Sequence, residues 1–545
     1  MRKNNNKLIA FAVTASIIAL LYLLTITEQQ RPDATIRTPL DAFWYFIATI
    51  TTVGYGDVSP VSPFGKILGV FFILLSCGFI SVLITSTIRF MNGSFILKMK
   101  LALSQVDKWY IFNEYNEEAD LLARNLWNLK ENSGVIFCNA EHRIGGLFRV
   151  RFIFTPLSVE ETMALCTKKQ EKGIGEKPIV FLMDEDEEKN LKTALSLTGM
   201  QSLLYCKTGI RFQNPPAGLR TFDPADLTAR AYWHDHPLSS REKNVVMIGN
   251  GALLNYLIEQ AVIVNVFGPF LICRYHIFNE KKTHDPNRHS DDSFLEDHPH
   301  IKDVLSVRAV SGKEVVNDEA ANDTFFFHTD AWDKNHQYLE MADRIIVCTT
   351  SEIENIRIAE KIRSLCATKA DLYIYGSDSI DGVTGFGSIA ELYTPERILR
   401  EDMLKRARTL NDYYNSLQQD ESKRTRWEDL SMFTKRSNMA AADHMGTKLR
   451  ILLDCLDENT AIEADRDTID LAVRNFRENV IDRNLCRQIE HERWMRFHSL
   501  YGWTYGEVRD NALRRHPLMV PFEELKPEQQ AMDDISWELL EVLRE

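Results

Sequence analysis

The sequence predicts a membrane α-helical module, then two α/β domains in tandem, then a small, mainly α-helical domain. Three observations predict it. Apolar runs over 8–26 and 64–88 are each long enough to cross a bilayer. From 107 to 424, strand-patterned and helix-patterned segments alternate in the same order twice, as parallel sheets covered by helices require. Residues 425–545 hold a run rich in Trp, Tyr and Arg that reads as a small helical domain. The expected boundaries are 1–106, 107–240, 241–424 and 425–545.

The totals agree with that division. A chain of 545 residues has room for about three or four domains. A net charge of −13 and a pI near 5.6 argue against a nucleic-acid polymer as partner. They leave room for a small anion in a locally basic pocket. The negative mean hydropathy confines the membrane part to one region. Nine cysteines are scattered with no CxxC pair, so a zinc ribbon or redox pair is not expected. None lies in the expected external segment 27–63, which fits a large part in a reducing cytoplasm.

Arg2, Lys3 and Lys7 precede the first apolar run and place the amino terminus on the cytoplasmic side. A signal peptide begins the same way, but Thr25-Ile26-Thr27-Glu28 offers no small-x-small cleavage site. Thr38-Pro39-Leu40-Asp41 is a helix start, with a capping hydroxyl followed by Pro in the first turn. The helix over 39–51 carries Phe43, Trp44, Tyr45 and Phe46 and is too short to span, so it reads as re-entrant. Ser59 to Pro63 makes an outer turn before the second run. Gly78 lies about midway along that run; it reads either as a hinge or as a point of close helix packing. Arg89, Lys98 and Lys100 follow on the cytoplasmic side. No Arg-rich helix precedes the first run, so no voltage sensor is expected.

Between the helix and the second run stands Thr51-Thr52-Val53-Gly54-Tyr55-Gly56-Asp57. Rings of backbone carbonyls can cage a dehydrated cation when copies of such a loop face one another. Pointing successive carbonyls inward needs a backbone that alternates in hand, and Gly54 and Gly56 fit where φ must be positive. The Thr52 hydroxyl can add an oxygen ring, and Tyr55 can brace the loop against the aromatic residues behind it.

This first hundred residues resembles a two-transmembrane, pore-loop potassium channel. The resemblance implies a selectivity filter at Thr52, Val53, Gly54, Tyr55, Gly56 and Asp57, with K⁺ as the permeant ion. It implies a homotetramer in contact with membrane lipid, in the cell (inner) membrane, with both termini cytoplasmic.

In the first α/β domain the strands are expected at Trp109–Phe112, Gly134–Cys138, Lys177–Met183 and Ser202–Cys206, with a helix over 117–130. Where a phosphate-binding turn would have glycines, the chain has Asn113-Glu114-Tyr115-Asn116-Glu117-Glu118. Bulk and carboxylates there would repel a pyrophosphate, so no nucleotide is expected in the usual pose. The acidic run Asp184–Glu188 reads either as a divalent-cation site or as a solvated helix start. The second domain has Asn244–Ile248 followed by Gly249-Asn250-Gly251, then a helix through Val264. That is G-x-G in the context of a phosphate turn, with Leu254 at the third glycine position. The next strand is expected over Phe270–Arg274, ending on Arg274 where an acid would hold a ribose. A bound nucleotide on Gly249, Asn250, Gly251 and Arg274, or a purely structural turn, are both open. The polar stretch 284–300 is a possible metal site or a surface loop.

The order of these segments after a pore resembles tandem RCK (regulator of K⁺ conductance) domains, which implies Rossmann-like folds that sense small ligands. Four chains would bring eight RCK units, enough to close a ring.

The last domain centres on His491-Glu492-Arg493-Trp494-Met495-Arg496, Tyr501-Gly502-Trp503-Thr504-Tyr505-Gly506, Arg509-Asp510 and His516-Pro517. These residues resemble a ryanodine-receptor repeat (RyR) domain. The resemblance implies a sensing appendage, in company for which a nucleotide or cyclic-nucleotide ligand is suggested. The candidate site is His491, Arg493, Trp494, Arg496, Tyr501, Trp503, Tyr505 and Arg509. Aromatic faces can stack a base and Arg can hold phosphate. The same tryptophans can instead be core, and the same arginines can be in salt bridges.

The expectation is a ligand-gated potassium channel and not an enzyme, since no catalytic constellation accompanies the altered glycine turns. The alternative is a membrane-anchored nucleotide-sensing effector or scaffold with a non-conducting pore.

Overall fold

The short helix over Pro39–Ile50 forms where its sequence starts it. Thr38 accepts a hydrogen bond from the Asp41 amide at 3.2 Å, and the Asp41 carboxylate accepts from the Thr38 amide at 2.8 Å. Each group satisfies an amide the helix end leaves unpaired. The computed structural model describes residues 2–544 apart from 91–95, 105, 130, 141–151, 171–175, 201, 280–293, 311–321, 367, 377–378, 381, 459 and 463–464. The chain divides into two units, Met1–Gln105 with Glu141–Leu157, and Val106–Ala140 with Ser158–Glu545.

In the first unit the short helix packs between two long ones, Arg2–Gln29 and Pro63–Phe90. Leu24, Ile36, Phe46, Ile50 and Phe72 form the shared core. The fully buried Glu28 carboxylate accepts from the Val61 and Ser62 amides at 2.9 and 3.0 Å and so ties the end of the first helix to the start of the third. Gly65 and Gly69 let these elements approach; a Cβ on Gly69 would sit 2.5 Å from the Tyr45 hydroxyl. Among the described residues no helix is long and apolar enough to cross a membrane. The side chains of 2–15, 75–80, 82–83 and 86–90, within the two apolar runs, lie outside the described set.

The second unit contains two parallel sheets. In the first, strands pair in the spatial order Ser133–Phe137, Lys108–Phe112, Ile179–Leu182, Leu203–Lys207 and Leu219–Phe222. In the second the order is Thr384–Phe386, Asp371–Tyr375, Arg344–Cys348, Asn244–Gly249, Arg274–Asn279, Thr324–His328 and Ser306–Val310. In both, the first strand in the chain is central and the order reverses beside it, as in a doubly wound Rossmann-like sheet. The strands Ser133–Phe137, Ile179–Leu182, Asn244–Gly249 and Arg344–Cys348 are buried along nearly their whole length, which explains their apolar runs.

One strand differs from expectation. Residues 270–273 are not strand; Gly268–Phe270 is a 3-10 turn with Gly268 at φ +58°, and the strand begins at Arg274. Apolar residues there fill the core before the ladder starts, so hydrophobicity alone placed the strand too early.

Helices Met432–Asp443, Met445–Leu452, Arg466–Arg477 and Arg483–Leu500 build the last part. They share one continuous core with the second sheet's helix Gly251–Val264. Thr447 donates to the Val264 carbonyl at 2.6 Å, and a His444 ring nitrogen lies 3.0 Å from the Val266 carbonyl.

Candidate functional site

The loop after the short helix, expected to be a filter, leaves it with a bond from the Gly54 amide to the Ala48 carbonyl at 3.0 Å. Its backbone alternates in hand: Thr52, Gly54 and Gly56 have φ of +60°, +57° and +73°. Two of these are the expected glycines. The third is a threonine, which carries strain of about 1–2 kcal/mol that glycine would not. Behind the loop, Tyr55 stacks on Trp44 with centroids 5.7 Å apart and planes 6° from parallel. The Trp44 indole donates to Asp57 at 3.0 Å. One side chain of the short helix, Trp44, thus holds the later part of the loop at both Tyr55 and Asp57. Thr52, Val53, Gly54, Tyr55, Gly56 and Asp57 are all solvent-exposed in the single chain. Gly78 lies within Pro63–Phe90, in a stretch whose side-chain surroundings are outside the described residues.

The glycine turn of the second sheet sits at the carboxyl end of its central strand. Gly249 has no room for a Cβ, which would meet the Cys348 carbonyl and sulfur at 2.5 Å. Gly251 takes φ +72° and opens the helix. Asn250 is that helix's N-cap residue, but its side chain accepts from the Thr350 amide at 3.2 Å and leaves the helix end uncapped. Arg274 does not join them. It pairs in register with Asn244 at the amino end of the sheet, while Asn279 stands opposite Gly249. At about 3.3 Å per residue, five residues put Arg274 some 16 Å from the turn. A shared phosphate site for Gly249, Gly251 and Arg274 is therefore corrected: the strand starts, and does not end, on Arg274.

The matching place in the first sheet is filled by the chain itself. The Asn113 side chain accepts from the Met183 amide at 2.7 Å and donates to Asn190 at 2.9 Å. Asn116 caps the helix Glu117–Asn128. Lys189 pairs with Glu114 at 3.0 Å and with Asp184, whose pKa is held down to about 2 against burial by its bonds to Glu114 and Lys189. In the acidic run, Asp186 caps its helix and Glu188 pairs with Lys192 at 2.6 Å. Among the described residues no group of His, Cys, Asp and Glu is placed to hold a metal ion. Residues 284–293 lie outside the described residues.

The eight residues singled out in the last domain do not converge. Arg493 is buried in an ion pair with Glu490 at 2.6 Å, and Lys448 reaches the same carboxylate at 2.8 Å. Burial pulls Glu490 up, but Arg493 and Lys448 outweigh it and hold the carboxylate well below its usual range. Nearby Asp533 is pushed up to about 8 by burial and by Glu490. His491 is buried, with a ring nitrogen 2.8 Å from the Val520 carbonyl. Arg496 points elsewhere, to Asp323, just before the strand Thr324–His328, at 2.8 Å. Trp503 is buried against Phe433, and Trp494 packs on His498 with centroids 3.9 Å apart. Tyr501 packs on Phe497 and Phe433. Tyr505 and Arg509 alone are exposed, and Arg509 lies 5.9 Å over the Trp503 ring. The site expected on His491, Arg493, Trp494, Arg496, Tyr501 and Trp503 is thus corrected to a core with internal ion pairs. In Arg483–Leu500 the residues 489–491, 493 and 496–500 are buried, and the buried Arg493 and Arg496 each meet an acid, Glu490 and Asp323.

Comparison with known proteins matches the two ends of the chain. Residues 8–92 match the family described as ion channel, and residues 467–544 match the RyR domain. A voltage-gated potassium channel of Aeropyrum pernix is 36% identical over 73 residues, which are 13% of this chain and 25% of the relative. The potassium voltage-gated channel protein shk-1 of Caenorhabditis elegans is 36% identical over 62 residues, 11% of this chain and 12% of the relative. Two-pore potassium channel 5 of Arabidopsis thaliana is 37% identical over 51 residues, 9% and 12% respectively. The chain thus spans a quarter or less of the length of these curated relatives. Among solved structures, the GsuK channel aligns over 73% of this chain and 100% of its own, at 12% identity and a TM-score of 0.33. The GsuK structure bound to ADP aligns likewise with a TM-score of 0.32. At such scores the likeness carries no argument about this chain.

Proposed function

From an ion-channel domain at one end of the chain and a RyR domain at the other, we propose a ligand-gated, potassium-selective channel. The observation that carries the reading is the alternating hand at Thr52, Gly54 and Gly56. It aims successive carbonyls to one side, and four copies around an axis make the oxygen rings a dehydrated K⁺ needs. The filter's exposure in one chain fits an arrangement in which other copies cover it. So do the exposed Ile18, Tyr22, Ile67, Val70 and Leu74 on the two long helices, which need lipid or protein against them. The apolar runs over 8–26 and 64–88 then span the cell membrane, with both termini in the cytoplasm. The two Rossmann-like sheets act as RCK units, eight to a homotetramer, and relay ligand binding to the pore. The ligand is of the nucleotide class. It shifts the gate only by its differential affinity for open and closed forms, so full switching takes about 5.5 kcal/mol shared over the sites.

Uptake of Rb⁺ into liposomes holding the purified protein tests this. Uptake is expected, and Gly56→Ala is expected to abolish it, because Gly56 sits at φ +73°. No uptake by the wild-type protein under any nucleotide would leave the non-conducting scaffold in its place.

A further inference from the structure

The second unit holds a cavity of about 370 Å³ that is open to solvent, lined by the last strands of the first sheet, the helix Pro224–Asp235, residues 397–408 and the helix Met432–Asp443. That is within the usual span of small-molecule sites, about 300–1,000 Å³. Seven basic side chains line it against four acidic ones, in a chain that is acidic overall. The acids present are shared. Glu401 serves both Arg220, at 3.0 Å, and Arg408. Asp226 serves both Arg436, at 2.8 Å, and Arg211, at 4.0 Å. Several guanidinium nitrogens are buried with no hydrogen-bond partner: Nη1 of Arg230 and Nε of Arg211, Arg408 and Arg436. The Arg230 side chain is only 1% exposed. Buried N–H groups without acceptors are costly, so these point to an acceptor that enters from the cavity. Burial also lowers the pKa of Lys435 on the same wall, which an anion beside it would reverse.

The rest of the wall is apolar and aromatic. Leu219, Leu404 and Met439 line it, and Trp427 presents a ring with the Arg408 guanidinium 5.9 Å from its centroid. Guanidiniums that each keep one buried nitrogen without an acceptor, on a wall that also holds an aromatic ring, suit a ligand with a charged end and a flat end. We propose that this cavity binds a nucleoside phosphate, its phosphate held by Arg230, Arg408, Lys435 and Arg436 and its base against Trp427. The cavity lies where the first sheet's helix Pro224–Asp235 meets the last domain's helix Met432–Asp443. Those helices are already joined by Arg436 to Asp226 and by Arg230 to Asp443, each at 2.8 Å. Occupancy changes the charge balance of that joint. Its consequence for the gate rests on the channel reading above.

The test is photo-labelling of the full-length wild-type protein with azido-adenine nucleotides, with binding of AMP, ADP, cyclic AMP and inorganic phosphate measured in parallel. Label is expected in peptides from 203–230 or 397–439. The pair Arg408→Gln and Lys435→Gln is expected to weaken nucleotide binding at least tenfold, while Trp427→Phe binds and Trp427→Ala does not. Label confined to 249–279 or 491–516 overturns the proposal, as does the absence of nucleotide binding. Inorganic phosphate binding as tightly as ADP overturns the nucleotide class. If the double variant fails to fold, the wild-type label map decides. Rb⁺ uptake on the same preparation separates the two readings. Label elsewhere with nucleotide-dependent uptake sinks the cavity and keeps the channel. Label in the cavity without uptake does the reverse.

Discussion

The two α/β sheets solve one joint in two ways. Each has an asparagine just past its central strand, Asn113 and Asn250, whose side chain accepts from an amide of the neighbouring strand end, at 2.7 and 3.2 Å. Each has a buried asparagine four residues into the next helix from its cap, Asn190 after Asp186 and Asn355 after Ser351. Asn190 binds the Asp184 amide and carbonyl at 2.9 and 2.8 Å; Asn355 binds the Thr349 amide at 2.7 Å and the Tyr375 carbonyl at 3.0 Å. The difference lies in the turn. In the first sheet the residues after Asn113 add carboxylates and the Asn116 cap. In the second, Gly251 starts the helix directly and its first amides have no side-chain cap. The duplicated joint is structural; only the second copy keeps an open helix end. At the first turn Lys189 is taken up by Glu114 and Asp184, and the arginine nitrogens that lack acceptors lie at the other cavity.

The strongest test of the shared joint is removal of its buried amides. Asn190→Ala and Asn355→Ala are each expected to destabilise the second unit by about 2–4 kcal/mol, since several strand-end groups lose their partners at once. Chemical denaturation measures this, and a large cost for one alone would break the parallel. Next comes Gly249→Ala, with about 1–3 kcal/mol for forcing a Cβ against Cys348. Phe112, the residue at the matching strand end, already carries a side chain, so the requirement belongs to the second turn only. A neutral Gly249→Ala would mean the strands part more easily than their register implies. Smallest is Asn116→Ala, about 1 kcal/mol for a lost cap, with no counterpart expected on replacing Asn250 as a cap. A thermal shift on each variant sets the order.

Much of this was legible in the residues. The helix start at Thr38 and Pro39, the positive φ of Gly54 and Gly56 and the succession of the long apolar strands follow from local rules. What was not legible depends on distant partners. Thr52 looks like any threonine until the loop around it dictates its φ. Arg274 was placed at the wrong end of its strand because apolar core residues precede the ladder. Arg493 and Arg496 read equally as ligand contacts or as surface salt bridges, since their acids are a helical turn away or at Asp323. The strands Ser306–Val310 and Thr384–Phe386 carry half-exposed or glycine-containing runs with weak signals. The cavity has no sequence signal, because its arginines come from four separate segments.

The central claim is selectivity at Thr52–Gly56. The most direct measurement is the reversal potential of currents through the purified protein in a planar bilayer with K⁺ on one side and Na⁺ on the other. Currents that reverse near the K⁺ equilibrium potential are the expected result. Currents that reverse near zero, with Na⁺ passing as freely as K⁺, would contradict it.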